Sequence, residues 1–120
     1  MLNESSGSVR VYYPRFDKQQ LIQKLREELK KLEEKLPLAL VVLFGSYAKG
    51  NYTAASDVDL LVVYKGEERE DAFATVKKTV SIPRLEPHIY SEREYEGLKG
   101  TLNRMIEGGV VFYDRGKRVE

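Results

Sequence analysis

The sequence predicts an α/β (α+β) fold, a mixed β-sheet with helices packed on it. Apolar runs of strand length alternate along the chain with segments whose apolar residues recur at helical spacing. Such alternation is typical of sheets covered by helices. The 120 residues suffice for one domain, and 42% hydrophobic residues supply the material of an ordinary core. We therefore expect one domain over residues 17–120, preceded by a partly flexible extension over residues 1–16.

The first predicted helix begins near Asp17 and ends before Pro37. Its leucines recur at three- and four-residue spacing from Leu21 to Leu36, while its other face is rich in Lys, Arg and Glu. Asp17 and Gln20 resemble a capping box at the start of the helix. Pro37 would end it. The pattern predicts a helix with one buried and one solvated face.

The later elements continue the alternation. Residues 38–44 (LALVVLF) and 57–64 (DVDLLVVY) are predicted to form two buried strands. Two further helices are predicted over residues 72–80 and 91–107. Two further strands are predicted over residues 84–90 and 110–114. Ser91 and Glu94 form a second candidate capping box. Pro87 restricts its strand to an edge of the sheet or to a bulge, because proline donates no ladder hydrogen bond.

Composition and charge exclude several classes of function. Twenty Lys and Arg oppose nineteen Asp and Glu, so the basic excess of a nucleic-acid-binding domain is absent. Without cysteine there are no disulfides or thiolate ligands, and the single histidine, His88, cannot form a zinc cluster. No apolar run approaches the roughly 18 residues of a membrane span, and the N-terminus lacks an apolar signal core. We expect a cytoplasmic protein with no membrane partner.

A glycine–serine turn and two aspartates are the candidate reactive residues. Gly45 and Ser46 follow one buried strand, and Asp57 and Asp59 open the next, with ten residues between Ser46 and Asp57. Alternate side chains of a strand share a face, so the two carboxylates repel each other unless a cation lies between them. Mg²⁺ binds one or two carboxylates together with substrate phosphates. A glycine turn exposes backbone N–H groups to phosphate oxygens. Together these residues predict metal-assisted phosphoryl or nucleotidyl transfer.

A P-loop is another phosphate-binding motif with a similar glycine spacing. Gly45 and Gly50 follow a buried strand at that spacing. The motif then requires Lys and Ser or Thr, where this chain has Asn51 and Tyr52. The sequence therefore argues against a P-loop.

The segment GSYAKGNYTAASDVDLLV, residues 45–62, resembles the signature of the DNA polymerase beta-like nucleotidyltransferases. The short chain resembles the minimal nucleotidyltransferases of bacteria and archaea, and the order of elements agrees over residues 17–114. The resemblance implies a mixed-sheet fold and two Mg²⁺ ions. It also implies transfer of a nucleoside monophosphate, often AMP from ATP.

The resemblance assigns roles to individual residues of this chain. Gly45 and Ser46 would hold the nucleotide phosphates, and Asp57 and Asp59 would bind the metal ions. Many relatives have Arg where this chain has Lys49. That difference keeps the positive charge but loses the planar guanidinium.

A third metal-binding and catalytic carboxylate is expected on a later strand. Glu86, within the strand over 84–90, is the candidate, although the family more often has Asp there. The alternative is that Glu86 is a surface residue of an edge strand. Tyr47 and Tyr52 could stack on a nucleotide base or pack within the protein.

The acceptor of the transfer stays open at this point. Minimal members of the family are often encoded beside a small helical HEPN-type protein, and some act as antitoxins that add AMP to this partner. An alternative is a catalytically weak module of the same fold that binds a nucleotide or a partner. Transfer to a small molecule is a third reading, but relatives of that kind usually carry an additional domain.

Overall fold

The computed structural model describes residues 16–119, so the predicted extension lies outside the described residues except for Phe16. Within them the helices are Lys18–Glu33 (α1), Ser46–Lys49 (α2), Ala72–Thr79 (α3) and Glu92–Met105 (α4). The strands are Leu38–Phe44 (β1), Val58–Tyr64 (β2), Leu85–Ser91 (β3), Val110–Asp114 (β4) and Lys117–Arg118 (β5). The predicted helices and strands are confirmed to within a few residues at their ends.

One mixed sheet contains the strands in the order β3-β2-β1-β4-β5. β1 lies between β2 and β4 and runs antiparallel to both, whereas β2 and β3 are parallel. β5 adds an antiparallel pair to β4. The mixed sheet confirms the predicted fold class. β5 was not predicted, because its two exposed residues carry no apolar pattern.

Helices cover both faces of the sheet. α1 and α3 pack on one face, where the predicted leucine stripe is confirmed as buried core: Leu21, Leu25, Leu29, Leu32 and Leu36. α4 packs on the other face through a smaller apolar cluster. Because helices occupy both sides, the side chains of β1 are almost all buried, as its continuous apolar run predicts. None of the helices within residues 16–119 is long and apolar enough to cross a membrane.

Both predicted capping boxes are present. The Asp17 carboxylate accepts from the Gln20 N–H at 2.8 Å, and the Gln20 side chain accepts from the Asp17 N–H at 2.9 Å. Ser91 and Glu94 make the same reciprocal pair at 3.1 and 2.9 Å. These bonds fix where α1 and α4 begin, because they satisfy N–H groups that have no partner inside a helix.

β3 is an edge strand, as Pro87 predicts. Its one strand neighbour in the described sheet is β2, and the Val58 N–H donates to the Arg84 carbonyl at 2.9 Å. Alternate residues of a parallel strand bond to the same neighbour, so Arg84, Glu86 and His88 turn their backbone groups toward β2. The backbone of Pro87 then faces away from β2, on the side of β3 that has no strand partner in the described sheet, so its missing N–H costs no ladder bond.

Glu28 is a buried carboxylate that joins α1 to the segment after α3. Its side chain is 1% exposed and accepts from the Ser81 N–H at 2.9 Å and from the Lys31 ammonium at 3.0 Å. Lys24 lies 3.4 Å away. Burial by itself raises the pKa of Glu28, but the Ser81 N–H and the lysines outweigh burial and hold that pKa below its usual value.

The lowered pKa makes a pH-dependent contribution to stability. A carboxylate whose pKa is lower in the folded chain stabilises the fold above its unfolded pKa, and that stabilisation is lost as the pH falls through the folded pKa. Glu28→Gln should lower the free energy of unfolding by roughly 1–2 kcal/mol near pH 7, with a smaller loss near pH 3. Urea unfolding at both pH values measures the difference.

Glu27→Gln is the matched control, because Glu27 is the exposed neighbour of Glu28 on the same helix. Its effect should stay within about 0.5 kcal/mol at both pH values. A Glu28→Gln loss that is the same near pH 7 and near pH 3 would contradict the role of the ionised carboxylate.

Candidate active site

Gly45 joins β1 to α2 in a backbone conformation that other residues rarely adopt. Its φ is 78° and its ψ is −155°. Its carbonyl accepts from the Lys49 N–H at 3.1 Å, and the following Ser46 is the first residue of α2. The chain therefore turns sharply at the end of a buried strand, and the first N–H groups of α2 need partners from outside the helix.

The turn lies directly against the Asp59 carboxylate. Phe44 is paired with Asp59 in the β1–β2 ladder, so the residue after Phe44 passes beside the start of β2. A Cβ atom added to Gly45 would be 2.3 Å from Asp59 Oδ2. Glycine is thus required twice, by the positive φ and by the close approach of the carboxylate.

Asp59 has a second neighbour in His88. The His88 Nε2 atom lies 3.3 Å from Asp59 Oδ1, and the His88 ring centroid is 5.0 Å from that of Phe44. The Asp59 side chain is 28% exposed, so it reaches solvent while its base is held by the sheet. No local sequence pattern connects His88 with Asp59, because the contact joins two strands whose contacting residues are 29 positions apart in the chain.

Asp57 lies immediately before β2 and forms an ion pair with Arg84. The Arg84 Nη2 atom is 3.0 Å from Asp57 Oδ1, and both side chains are about half exposed, 53% for Arg84 and 51% for Asp57. Arg84 also donates to the carbonyls of Ala55 and Ser56 at 2.7 and 3.2 Å. No sequence pattern predicts a role for Arg84, and the one available signal was its position two residues before Glu86.

Glu86 is aligned with Asp59 but is not gathered into a cluster with the aspartates. The parallel ladder pairs Glu86 with Asp59, so both side chains lie on the same face of neighbouring strands. Glu86 is exposed. Within residues 16–119, no group of three or more His, Cys, Asp or Glu side chains is close enough to hold a metal ion. The role of Glu86 as a third ligand stays a prediction.

The remaining candidates surround the turn. Ser46 is partly exposed at the start of α2, and Lys49 is exposed in its last turn. Tyr47 and Tyr52 stack on each other, with centroids 4.3 Å apart and rings 11° from parallel. Their hydroxyls bond to the chain at the start of α1, where Tyr47 donates to the Phe16 carbonyl and Tyr52 accepts from the Lys18 N–H. These contacts favour packing within the protein over stacking on a base.

The arrangement fits a divalent cation and a phosphate chain. Asp57 and Asp59 provide hard carboxylate oxygens of the kind that Mg²⁺ prefers. In this structure each carboxylate contacts a nitrogen group that can carry positive charge, the guanidinium of Arg84 or the imidazole of His88. The position that a Cβ atom of Gly45 would take is filled by the Asp59 carboxylate, so the backbone of the turn packs directly against it. A candidate metal-binding oxygen and a candidate phosphate-binding backbone are thus in contact.

A sequence comparison and a fold comparison both relate this chain to nucleotidyltransferases. The family model described as nucleotidyltransferase domain matches residues 22–112. The crystal structure of a proposed nucleotidyltransferase from Sulfolobus solfataricus is similar at a TM-score of 0.60 and 25% identity, over 87% of this chain and 89% of that chain. A structure of the toxin–antitoxin MntA–HpeT aligns at a TM-score of 0.49 and 20% identity, over 82% of this chain and 74% of that chain.

A curated relative adds a shorter match. A proposed protein adenylyltransferase of Methanocaldococcus jannaschii is 42% identical to this chain over 40 residues. The aligned part is 33% of this chain and 41% of that protein, so the match spans about two-fifths of the relative's length.

The contact between Gly45 and Asp59 predicts that Gly45→Ala is costly. Backbone strain alone should lower the free energy of unfolding by roughly 1–3 kcal/mol, and the overlap with Asp59 Oδ2 should add to this loss or displace the carboxylate. Urea unfolding measures the loss, and the ¹³Cγ shift of Asp59 reports the displacement.

Gly50→Ala is the matched control, because Gly50 also has a positive φ, 84°, but its added Cβ would have no atom within 4 Å. It should cost about 1–2 kcal/mol from strain and leave the Asp59 shift unchanged. Equal unfolding losses and an unmoved Asp59 signal in both variants would contradict the importance of the contact.

Proposed function

Because the chain belongs to the nucleotidyltransferase domain family and is a nucleotidyltransferase on that ground, we propose that it transfers AMP from ATP to an acceptor in a Mg²⁺-dependent reaction. The observation that carries the proposal is the contact of the Gly45 turn with the Asp59 carboxylate. Nucleotidyl transfer requires the triphosphate to be held beside a metal-binding carboxylate. In this chain the glycine turn after β1 contacts an aspartate of β2, and this contact supports the proposal.

Each residue of the turn has a role in this proposal. The Ser46 hydroxyl and the first N–H groups of α2 donate hydrogen bonds to phosphate oxygens. Lys49, exposed in the last turn of α2, adds a positive charge near the triphosphate. Neutral and cationic donors together bind a polyanion more strongly than either does alone.

Asp57 and Asp59 hold the divalent cations. Two Mg²⁺ ions, when bound, would neutralise charge on the triphosphate and favour the deprotonated form of the attacking group. The carboxylates flank the first residue of β2, so the rigid core of the sheet fixes their spacing. Carboxylates held in place stabilise a bound cation more than flexible ones would, because no reorganisation is needed when the substrate arrives.

Glu86 is the proposed third carboxylate. Its register pairing with Asp59, on the same face and at the same end of the neighbouring strand, supports this role. Its side chain is exposed and has one more methylene than the aspartate that is common in relatives. Glu86 therefore has the length to turn toward Asp59 when a cation is present.

The proposed acceptor is a protein. The relative from Methanocaldococcus jannaschii is named for protein adenylylation, and this supports the same class of acceptor here. A small helical protein of the HEPN type is the proposed partner, on the family resemblance of residues 45–62. AMP transfer to a toxic partner would make this chain an antitoxin. All of these roles place the protein in the cytoplasm, where ATP and Mg²⁺ are available.

Labelled ATP tests the proposal directly. The tagged chain is purified from its native host with the proteins that bind it, and is then incubated with Mg²⁺ and ATP labelled at either the α- or the γ-phosphate. AMP transfer should label an acceptor from α-labelled ATP only, and EDTA should abolish the labelling. Asp59→Asn should reduce the rate by about a hundredfold or more, because it removes preorganised charge stabilisation.

Asp114→Asn is the matched control. Asp114 is exposed at the end of β4 that lies beside the start of β1, away from Gly45. This variant should transfer AMP at the wild-type rate. Labelling from the γ-phosphate, or an Asp59→Asn rate equal to that of the wild type, would refute AMP transfer by this site.

A further inference from the structure

Arg84 forms an ion pair with Asp57, the carboxylate that the proposed function assigns to a metal ion. Its guanidinium makes three contacts with the segment before β2, to the carbonyls of Ala55 and Ser56 and to Asp57 Oδ1. One nitrogen, Nη2, serves both the Ala55 carbonyl and the Asp57 carboxylate. The ion pair with Asp57 is thus one part of a larger contact between Arg84 and this segment.

We propose that Arg84 is an internal competitor of the divalent cation for Asp57. In the metal-free protein the guanidinium neutralises the Asp57 carboxylate, and this ion pair breaks when a divalent cation binds to Asp57. The inference rests on the proposed function, because it takes Asp57 to be a metal ligand. Arg84 is a positioning residue in this scheme, since it acts through Asp57.

The contacts of Arg84 explain how it can yield Asp57 without leaving the site. The Ala55 bond at 2.7 Å and the Ser56 bond at 3.2 Å do not involve the carboxylate, so they can persist when Asp57 turns to a cation. The backbone of Arg84 is held as well, by the hydrogen bond from the Val58 N–H to the Arg84 carbonyl. Arg84 therefore stays beside Asp57 as a fixed positive charge.

The strength of the pair sets the size of the competition. Both side chains are about half exposed, so solvent screens their attraction and the pair is easily opened. The guanidinium also repels a cation bound at Asp57. Both effects weaken cation binding, and a weak surface pair corresponds to a change in cation affinity of about two- to fivefold.

Mn²⁺ binding without nucleotide, followed by electron paramagnetic resonance, tests the inference. Arg84→Gln removes the charge and should tighten Mn²⁺ binding about two- to fivefold. Arg84→Lys keeps the charge but loses the planar guanidinium, and its affinity should stay within about twofold of the wild type. Arg93→Gln is the matched control, because it makes the same change at an exposed site next to the far end of β3, and it should leave the affinity unchanged.

Asp57→Asn separates the inference from the proposed function. In the Asp57→Asn background, Arg84→Gln should no longer affect Mn²⁺ affinity, because the two residues act through one pair. If Asp57→Asn itself leaves Mn²⁺ binding unchanged, the metal site is wrong and the inference fails with it. If Mn²⁺ binding depends on Asp57 but Arg84→Gln binds Mn²⁺ equally or more weakly, only the competition is refuted.

A measurement on the unmodified chain covers the case in which Arg84→Gln does not fold. In ¹H–¹⁵N NMR spectra, Mg²⁺ titration should shift the Arg84 Nε–H signal with the same midpoint as the Asp57 ¹³Cγ signal. The Arg93 Nε–H signal should not move. An Arg84 signal that stays fixed while the Asp57 signal moves would overturn the competition.

Discussion

The close contact between the Gly45 backbone and the Asp59 carboxylate is the constraint on which the site depends. It exists because Phe44 and Asp59 are partners in the β1–β2 ladder, which sets where the chain leaves one strand and enters the other. A shift of one residue in this register would turn Asp59 to the opposite face of the sheet. The apolar residues of β1 and β2 are buried on both faces, and they make such a shift costly.

The core under α1 and α3 supports the sheet, whereas the surface at the turn carries the candidate reactive groups. Buried leucines of α1 and the buried carboxylate of Glu28 hold the sheet from one side. The carboxylates of Asp57 and Asp59 reach solvent at the end of the same sheet. The guanidinium of Arg84 pairs with Asp57, and the imidazole of His88 contacts Asp59. A rigid support under partly exposed charges is what reversible binding of a cation requires.

Local patterns predicted much of the fold and the centre of the site. The leucine spacing of α1, the apolar run of β1 and the two capping boxes depend on neighbouring residues and could be recognised in the sequence. The turn at Gly45 and the two aspartates at the start of β2 were recognisable, because glycine permits a close approach of the backbone and alternate carboxylates share one face of a strand. The pairing of these features with a family signature supplied the function class.

The contacts of Arg84 and His88 could not be predicted in the same way. Both depend on parallel pairing between β2 and β3, which are joined through α3 and are distant in sequence. The left-handed φ of Arg84 carries no local signal, since arginine has no preference for that conformation. Glu86 is an intermediate case. The strand and the face on which Glu86 lies could be predicted, but the distance of its carboxylate from the two aspartates could not.

Paramagnetic NMR with Mn²⁺ and a non-hydrolysable ATP analogue tests the central claim most directly, because bound Mn²⁺ broadens the amide signals near it. If the turn and the carboxylates form one metal–phosphate site, the amide signals of Gly45, Ser46, Asp59 and Glu86 should broaden together at low Mn²⁺ concentration. The signals of α1 and of the β4–β5 hairpin should stay sharp. Broadening centred elsewhere, or broadening near Asp59 that spares Gly45 and Ser46, would contradict the account.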